Sequence, residues 1–155
     1  MKKKYRKNVG IVVFKKDKVL VFARADQKGL AWQFPQGGVN ENENLFDAAT
    51  RELFEETGIT NTKFVTKTPF FVRYDLPSDL IRNNKRGFCG QEQVWFLFEF
   101  LGEDNEINFF VNPEEIEFKS FEWVEPKEAI DRIVEFKKDV YKKVINYFAD
   151  FIGEK

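Results

Sequence analysis

The sequence predicts an α+β fold, an α/β/α sandwich in which a mixed β-sheet is flanked by helices. Three observations predict it. Short β-rich apolar runs recur between polar turns, at Val9–Phe14 and Val19–Ala23 and again further on. A central segment carries an apolar stripe at helical spacing, and the stretch from Pro126 to Ile152 reads as helix. The resulting order of strands, helix, strands, helix points to a mixed sheet flanked by helices.

Val9–Phe14 and Val19–Ala23 flank the polar turn Lys16-Asp17-Lys18 and read as a hairpin. Gly37-Gly38 then breaks the chain after Trp32-Gln33-Phe34-Pro35. A helix is expected from about Asn44 to Thr57, because Leu45, Ala49 and Leu53 recur at i, i+4 and i+8. Gly58 stands where a helix C-terminal glycine belongs. Strands are expected over Lys63–Tyr74 and Glu92–Phe100, with a long loop from Asp75 to Gly90 between them. Another strand is expected over Phe118–Val124. Pro126 suits the first turn of the C-terminal helix, and an interruption near Glu135-Phe136 should leave a short helix and then a longer one. No repeat or low-complexity tract divides the chain, so residues 1–155 read as one domain.

Composition excludes several classes of function. There is no histidine, which removes Ser-His-Asp and Cys-His catalysis and the common zinc sites. The single cysteine, Cys89, allows no internal disulfide. No apolar run approaches the ~20 residues needed to span a bilayer. The basic start Met1-Lys2-Lys3-Lys4-Tyr5 is not followed by an apolar segment, so a cytoplasmic protein with no membrane association is expected. Net charge is −1, which offers no global argument for nucleic-acid binding. The basic clusters Lys2–Lys7, Arg82–Arg86 and Lys137–Lys143, each taken alone, read as solvated surface. Acid–base or metal chemistry must therefore rest on carboxylates, lysines or tyrosines.

Glu52, Glu55 and Glu56 lie at i, i+3 and i+4, so a helix presents all three on one face. Like charges at that spacing cost an isolated helix roughly 0.2–0.5 kcal/mol per pair. A hard divalent cation would remove the repulsion. The competing reading is a solvated acidic face, and for three glutamates alone it is the better one. The surrounding spacing reverses that preference. Gly37 is followed by five residues and Glu43, then by seven and Arg51-Glu52-Leu53, one and Glu55-Glu56, one and Gly58-Ile59. This pattern resembles the Nudix box at every fixed position, with Gly38 beside its first glycine.

The resemblance to Nudix hydrolases implies an enzyme that cleaves phosphoanhydride bonds with Mg²⁺ or Mn²⁺, using two or more ions. It implies that Glu43 and Arg51 form an ion pair pinning the loop to the helix. Glu52, Glu55 and Glu56 would be the catalytic metal ligands, with a backbone carbonyl of Gln36 or Gly37 adding another. Glu52 matches the residue that often serves as general base. A further carboxylate commonly comes from outside the box. Glu117 is the candidate, with Glu114 and Glu115 as nearby competitors.

Flanking segments narrow the resemblance. Tyr5-Arg6-Lys7-Asn8-Val9-Gly10, Trp32–Gly38, Arg73–Pro77, Gly90–Phe96 and Phe136–Tyr141 are similar, in order, to bacterial RNA pyrophosphohydrolases and dinucleoside polyphosphate hydrolases. That implies removal of pyrophosphate from the 5′-triphosphate end of RNA, which promotes messenger RNA decay. The alternative is hydrolysis of nucleoside or dinucleoside polyphosphates of the diadenosine tetraphosphate type. By position, Arg6, Tyr74 and Lys137 would contact phosphates, while Val134 and Phe136 would hold a base. The competing reading for those two apolar residues is core. This chain departs from the pattern after Arg24, where Ala25 replaces a second arginine, and Lys28 is the candidate substitute. A reading from a different class, an inactive domain used for binding, conflicts with retention of every box glutamate.

Overall fold

The computed structural model describes residues 4–26, 31–78, 87–133 and 137–153. Among them, β1 (Tyr5–Lys15) and β2 (Lys18–Arg24) form the expected hairpin. Two short strands follow, β3 (Trp32–Gln33) and β4 (Gln36–Gly38), and then α1 (Leu45–Thr57). Next come β5 (Thr62–Lys67), β6 (Val72–Asp75), β7 (Gly90–Phe100) and β8 (Phe118–Val124). Helices α2 (Pro126–Arg132) and α3 (Lys138–Phe148) close the chain.

The strands make one mixed sheet. Its spine runs β3-β2-β1-β7-β5, with β4 on β1, β6 on β7 and β8 on β2. Among the described residues only the β1–β7 pairing is parallel, from Tyr5 beside Gly90 to Phe14 beside Glu99. Side chains alternate across the sheet, as a period of two requires. Val12, Phe14, Val19, Val21, Trp95 and Leu97 face a core closed by Val140, Tyr141, Val144 and Phe148 of α3. Val9, Ile11, Val13, Leu20, Phe22, Phe96 and Phe98 face the opposite core, closed by Ala48, Ala49 and Leu53 of α1. Helices thus cover both faces of a mixed sheet, the predicted architecture.

Capping explains the limits of α1. The Asn44 side chain accepts from the Asp47 N–H at 2.8 Å, meeting one of the unpaired donors of the first turn. Gly58 ends the helix with φ 74°, a left-handed conformation that glycine adopts without steric cost, and its N–H donates to the Phe54 carbonyl.

Two expectations need correction. The run Lys63–Tyr74 is not one strand but two, β5 and β6, each paired with β7. The interruption falls at Pro69, which has no N–H to give the ladder. Thr68 bridges the break: its N–H donates to the Trp95 carbonyl at 2.8 Å, and its hydroxyl accepts from the Trp95 N–H at 3.1 Å. The short strands β3 and β4 were not expected at all, because two or three residues are too few to show a period. In the C-terminal region a seven-residue helix precedes an eleven-residue one, as expected. The interruption itself, at Glu135-Phe136, lies outside the described residues, as does most of the loop expected between Asp75 and Gly90.

Gly10 controls the fit of β1 on β7. Its register partner is Trp95, whose fully buried indole occupies the space that a side chain on Gly10 would need. Gly10→Ala forces the indole or the strand to move, which costs about 1–3 kcal/mol, the usual penalty for overpacking a core. Urea unfolding checks this: the midpoint should fall while the slope stays constant. An unchanged midpoint would show that the indole has room to yield.

Candidate active site

The site forms where α1 passes beneath the β3–β4 segment. Pairing with β1 fixes that segment: Asn8, Val9 and Gly10 sit opposite Gly38, Gly37 and Gln36. The Ile11 N–H donates to the Pro35 carbonyl at 2.9 Å, and the Phe34 N–H donates to the buried Tyr141 hydroxyl at 2.7 Å. Glu52 approaches Gly37 so closely that a β-carbon there would collide with its carboxylate. Close approach to the backbone, rather than an unusual φ, is what requires glycine at this position.

Arg51 organises the acidic groups. Its Nε and one terminal nitrogen donate to the two oxygens of Glu43, at 2.8 and 2.9 Å. That terminal nitrogen also donates to the Gly38 carbonyl at 2.9 Å. The other donates to Glu52 at 2.8 Å and to Glu55 at 3.3 Å. The Arg51 pair, with the Asn40 N–H, holds the Glu43 carboxyl down at about 2. Loop and helix are therefore joined by one guanidinium.

Glu56 lies deeper. It is buried, and its Oε2 has no hydrogen-bond partner among the described residues. Burial raises its carboxyl well above the usual range, and the charges of Glu52, Glu117 and Glu55 raise it further. Burial also raises Glu52, against the opposing pull of Arg51. Glu117 is brought beside the start of β8, where its carbonyl accepts from the Ala25 N–H at 2.8 Å. Glu117 is also the group of its loop whose charge weighs on Glu56; Glu114 and Glu115 sit in the exposed turns before it. Glu55 is the most open of the three helix carboxylates.

Among the described residues, no three acidic side chains are already gathered into a ready-made ion cluster. Arg51 holds Glu52 and Glu55 in the arrangement seen. The residues nevertheless suit a divalent ion. An orphaned, buried carboxylate oxygen and two further carboxylates on the same helix, one of them pressed against a glycine cradle, are the hard oxygen donors that such an ion takes.

Cationic and aromatic groups gather nearby. The Tyr74 hydroxyl bonds to the Gln36 side chain and feels the charge of Arg6; burial pushes it up to about 12. Arg6 lies against Gly38, where a β-carbon would meet its guanidinium. The Lys137 ammonium sits over the Tyr74 ring, 5.8 Å from its centre. Burial, then the neighbouring charge of Arg24, pushes Lys137 down to about 8. Arg24 pairs with Asp26 at 2.6 Å and feels the charge of Glu117. Arg6, Tyr74, Lys137 and Arg24 thus form a linked rim that meets the acidic floor at Gln36 and Glu117. Lys28, Val134 and Phe136, also singled out by sequence, lie outside the described residues.

The sequence reading assigned nothing to Asn8, Gln93 or Tyr141, all of which brace this site. Gln93 is fully buried, and its amide donates to Asn8 at 2.7 Å and to Gln36 at 3.0 Å. Gln93 follows Gln91 and Glu92 and so reads as part of the polar end of its strand, which left no signal of its burial.

Comparison with known proteins agrees with this geometry. The NUDIX domain family matches residues 4–144. An RNA pyrophosphohydrolase of Caulobacter vibrioides is 42% identical over 151 residues, covering 95% of this chain and 87% of that protein. One from Zymomonas mobilis is 43% identical over 150 residues, covering 94% and 95% respectively. Among solved structures, the dihydroneopterin triphosphate pyrophosphohydrolase of E. coli superposes with a TM-score of 0.71. It covers 93% of this chain and 99% of that one, at 23% identity, which is a likeness of fold. With the box intact, the loop and helix joined through Arg51, and a family match over almost its whole length, the chain belongs to the Nudix family and is a hydrolase of phosphoanhydride bonds.

Proposed function

We propose that this enzyme removes pyrophosphate from the 5′-triphosphate end of RNA, leaving a 5′-monophosphate and so promoting messenger RNA decay. The carrying observation is the junction of an acidic floor, with the orphaned Oε2 of Glu56, and a cationic rim in which Lys137 lies over Tyr74. Such a junction suits a polyphosphate together with divalent cations. The high identity to RNA pyrophosphohydrolases over nearly all of the chain supports RNA as the carrier of that polyphosphate.

In this reading Glu52, Glu55, Glu56 and Glu117, with a backbone carbonyl of Gln36 or Gly37, would hold two or more Mg²⁺ or Mn²⁺ ions. Bound ions would neutralise phosphate charge and make water a better nucleophile. The protein's own groups do the rest. Arg6, Tyr74, Lys137 and Arg24 bind and orient the phosphates, and by resemblance Lys28 would add a cation. By resemblance Val134 and Phe136 would hold the first base; aromatic stacking contributes about 1–3 kcal/mol per base. Glu52 accepts a proton as water oxygen attacks phosphorus. The anhydride P–O bond breaks and pyrophosphate leaves. Glu43 and Arg51 touch no substrate and keep the loop on the helix.

Glu56→Gln removes the charge that a cation would balance while preserving shape. It should lower kcat/KM on the order of a thousandfold, near the upper end for removing one electrostatic stabiliser. Calorimetric titration should show weakened Mg²⁺ binding in the same variant, and wild-type values in both assays would refute the proposed ion site. Substrate choice is checked by comparing kcat/KM for a triphosphate-ended RNA oligonucleotide and for diadenosine tetraphosphate at saturating Mg²⁺. RNA should be preferred, and its KM should rise with salt as phosphate contacts are screened. A clear preference for the dinucleotide would replace the RNA reading with the nucleotide one.

A further inference from the structure

Among the described residues, two buried side-chain oxygens lack a hydrogen-bond partner: Glu56 Oε2 in the acidic floor and Gln91 Oε1 on β7. The reaction as described gives the first a use and the second none. A buried amide oxygen without a donor is costly, and its presence calls for a reason beyond packing.

Strand register places Gln91 within the site. It lies between Arg6 of β1 and Tyr74 of β6, so the three form one row across the sheet. Alternation along β7 gives Gln91 the same face as Gln93 and Trp95. The neighbouring row on that face holds Gln93, Asn8 and Gly38. A rise of about 3.3 Å per residue sets the two rows about 7 Å apart. Counted outward from Gly37 and Glu52, Gln91 therefore stands one row past Gly38.

Its polar neighbours are turned elsewhere. The Arg6 guanidinium leans against Gly38 of β4, which borders β1 on the edge opposite β7. The Gln93 amide nitrogen donates to Asn8 at 2.7 Å and to Gln36 at 3.0 Å, and its oxygen accepts from Trp95 Nε1 at 3.0 Å. The charges of Arg6 in the row and of Lys137 over Tyr74 favour the oxygen end of the Gln91 amide at the buried position. What Gln91 Oε1 lacks is a donor. An ionised polyphosphate offers only acceptors, and a carbonyl oxygen repels it. The donors of a nucleotide are the hydroxyls of its sugar and the N–H groups of its base.

We infer that Gln91 is a specificity-determining residue that reads the nucleoside carrying the polyphosphate: its Oε1 accepts a hydrogen bond from a sugar O–H or a base N–H. The cations of the rim grip any phosphate chain, and Gln91 adds the preference for a chain that ends in a nucleoside. A site built to accept from such a group discriminates against an analogue without it. The inference rests on the phosphate-binding role given to the rim in the proposed function.

The test compares wild type with Gln91→Met, which keeps the length and removes the acceptor, on the full chain at saturating Mg²⁺. The parent substrate is a triphosphate-ended RNA oligonucleotide that begins with adenosine. One counterpart is 2′-deoxy in the first nucleotide; another carries unsubstituted purine there, a base with no N–H. In wild type one of the two replacements should lower kcat/KM roughly tenfold, the worth of one hydrogen bond to a buried acceptor, and it names the donor. Gln91→Met should lose a similar factor on the parent RNA and be indifferent to that replacement, because both changes remove the same contact. Inorganic tripolyphosphate, which has no nucleoside, should inhibit both proteins with the same Ki. A wild type indifferent to both replacements would overturn the inference, and that measurement needs no variant, so misfolding of Gln91→Met leaves it intact. So would a replacement penalty that persists in Gln91→Met, or a loss of tripolyphosphate inhibition as large as the loss on RNA. If the wild type cleaves diadenosine tetraphosphate but not RNA, the RNA reading fails. The same replacements made in the dinucleotide, extended to its 3′ hydroxyls, then decide the role of Gln91.

Discussion

The guanidinium of Arg51 is the interaction on which the rest depends. It has five N–H donors in a rigid fork, and all five are used: two on Glu43, one on the Gly38 carbonyl, one on Glu52 and one on Glu55. A lysine offers one point charge and could not hold a loop carboxylate, a loop carbonyl and two helix carboxylates together. Arg51 is thus at once the joint between loop and helix and the partial counter-charge for an acidic face. What it leaves unmet is Glu56, which lies deeper and keeps an orphaned oxygen.

The sheet supplies the rigidity that this joint needs. Parallel pairing of β1 with β7 sets Asn8 beside Gln93 and Gly10 beside Trp95. Antiparallel pairing of β4 with β1 then hangs Gln36, Gly37 and Gly38 from the same strand. The Tyr141 hydroxyl ties Phe34 to α3, and the two rings stack with centres 4.6 Å apart. A segment of two short strands would have little stability alone. Here both cores grip it, and Glu52 packs against the one residue type that leaves it room.

The parts of the site legible in the sequence are those with a regular spacing. Glu52, Glu55 and Glu56 share a face because a helix repeats every 3.6 residues, and the Asn44 and Gly58 caps announce its ends. The parts that were hidden depend on tertiary pairing. The break at Pro69 was masked because Lys63–Lys67 and Val72–Tyr74 are both β-rich and both pair with β7. Strands β3 and β4 are too short for periodicity to reveal and exist because β2 and β1 offer edges to them. Gln93 reads as an outward polar residue of an ordinary strand until three partners are seen to satisfy it. Resemblance named Arg6, Tyr74 and Lys137 together, but nothing in their sequence spacing says that a lysine will lie over a tyrosine ring.

Electrostatics explain why the two halves of the site stay distinct. The chain balances 25 basic against 26 acidic residues, so internal neutralisation was available. At the rim, burial lowers Lys137 only to about 8, leaving it mostly charged near neutral pH, with Arg24 adding to its discomfort. At the floor, burial and three neighbouring carboxylates oppose ionisation of Glu56. Excess positive potential at the rim and excess negative potential at the floor each weigh on the folded state. In the proposed reading a polyphosphate would relieve the first and a divalent cation the second, and each would strengthen the hold on the other because phosphate oxygens are themselves ligands for such a cation. In the proposed reading, substrate and ion therefore bind with mutual reinforcement, and a protein that had paired its own charges across the site would have no such coupling to offer.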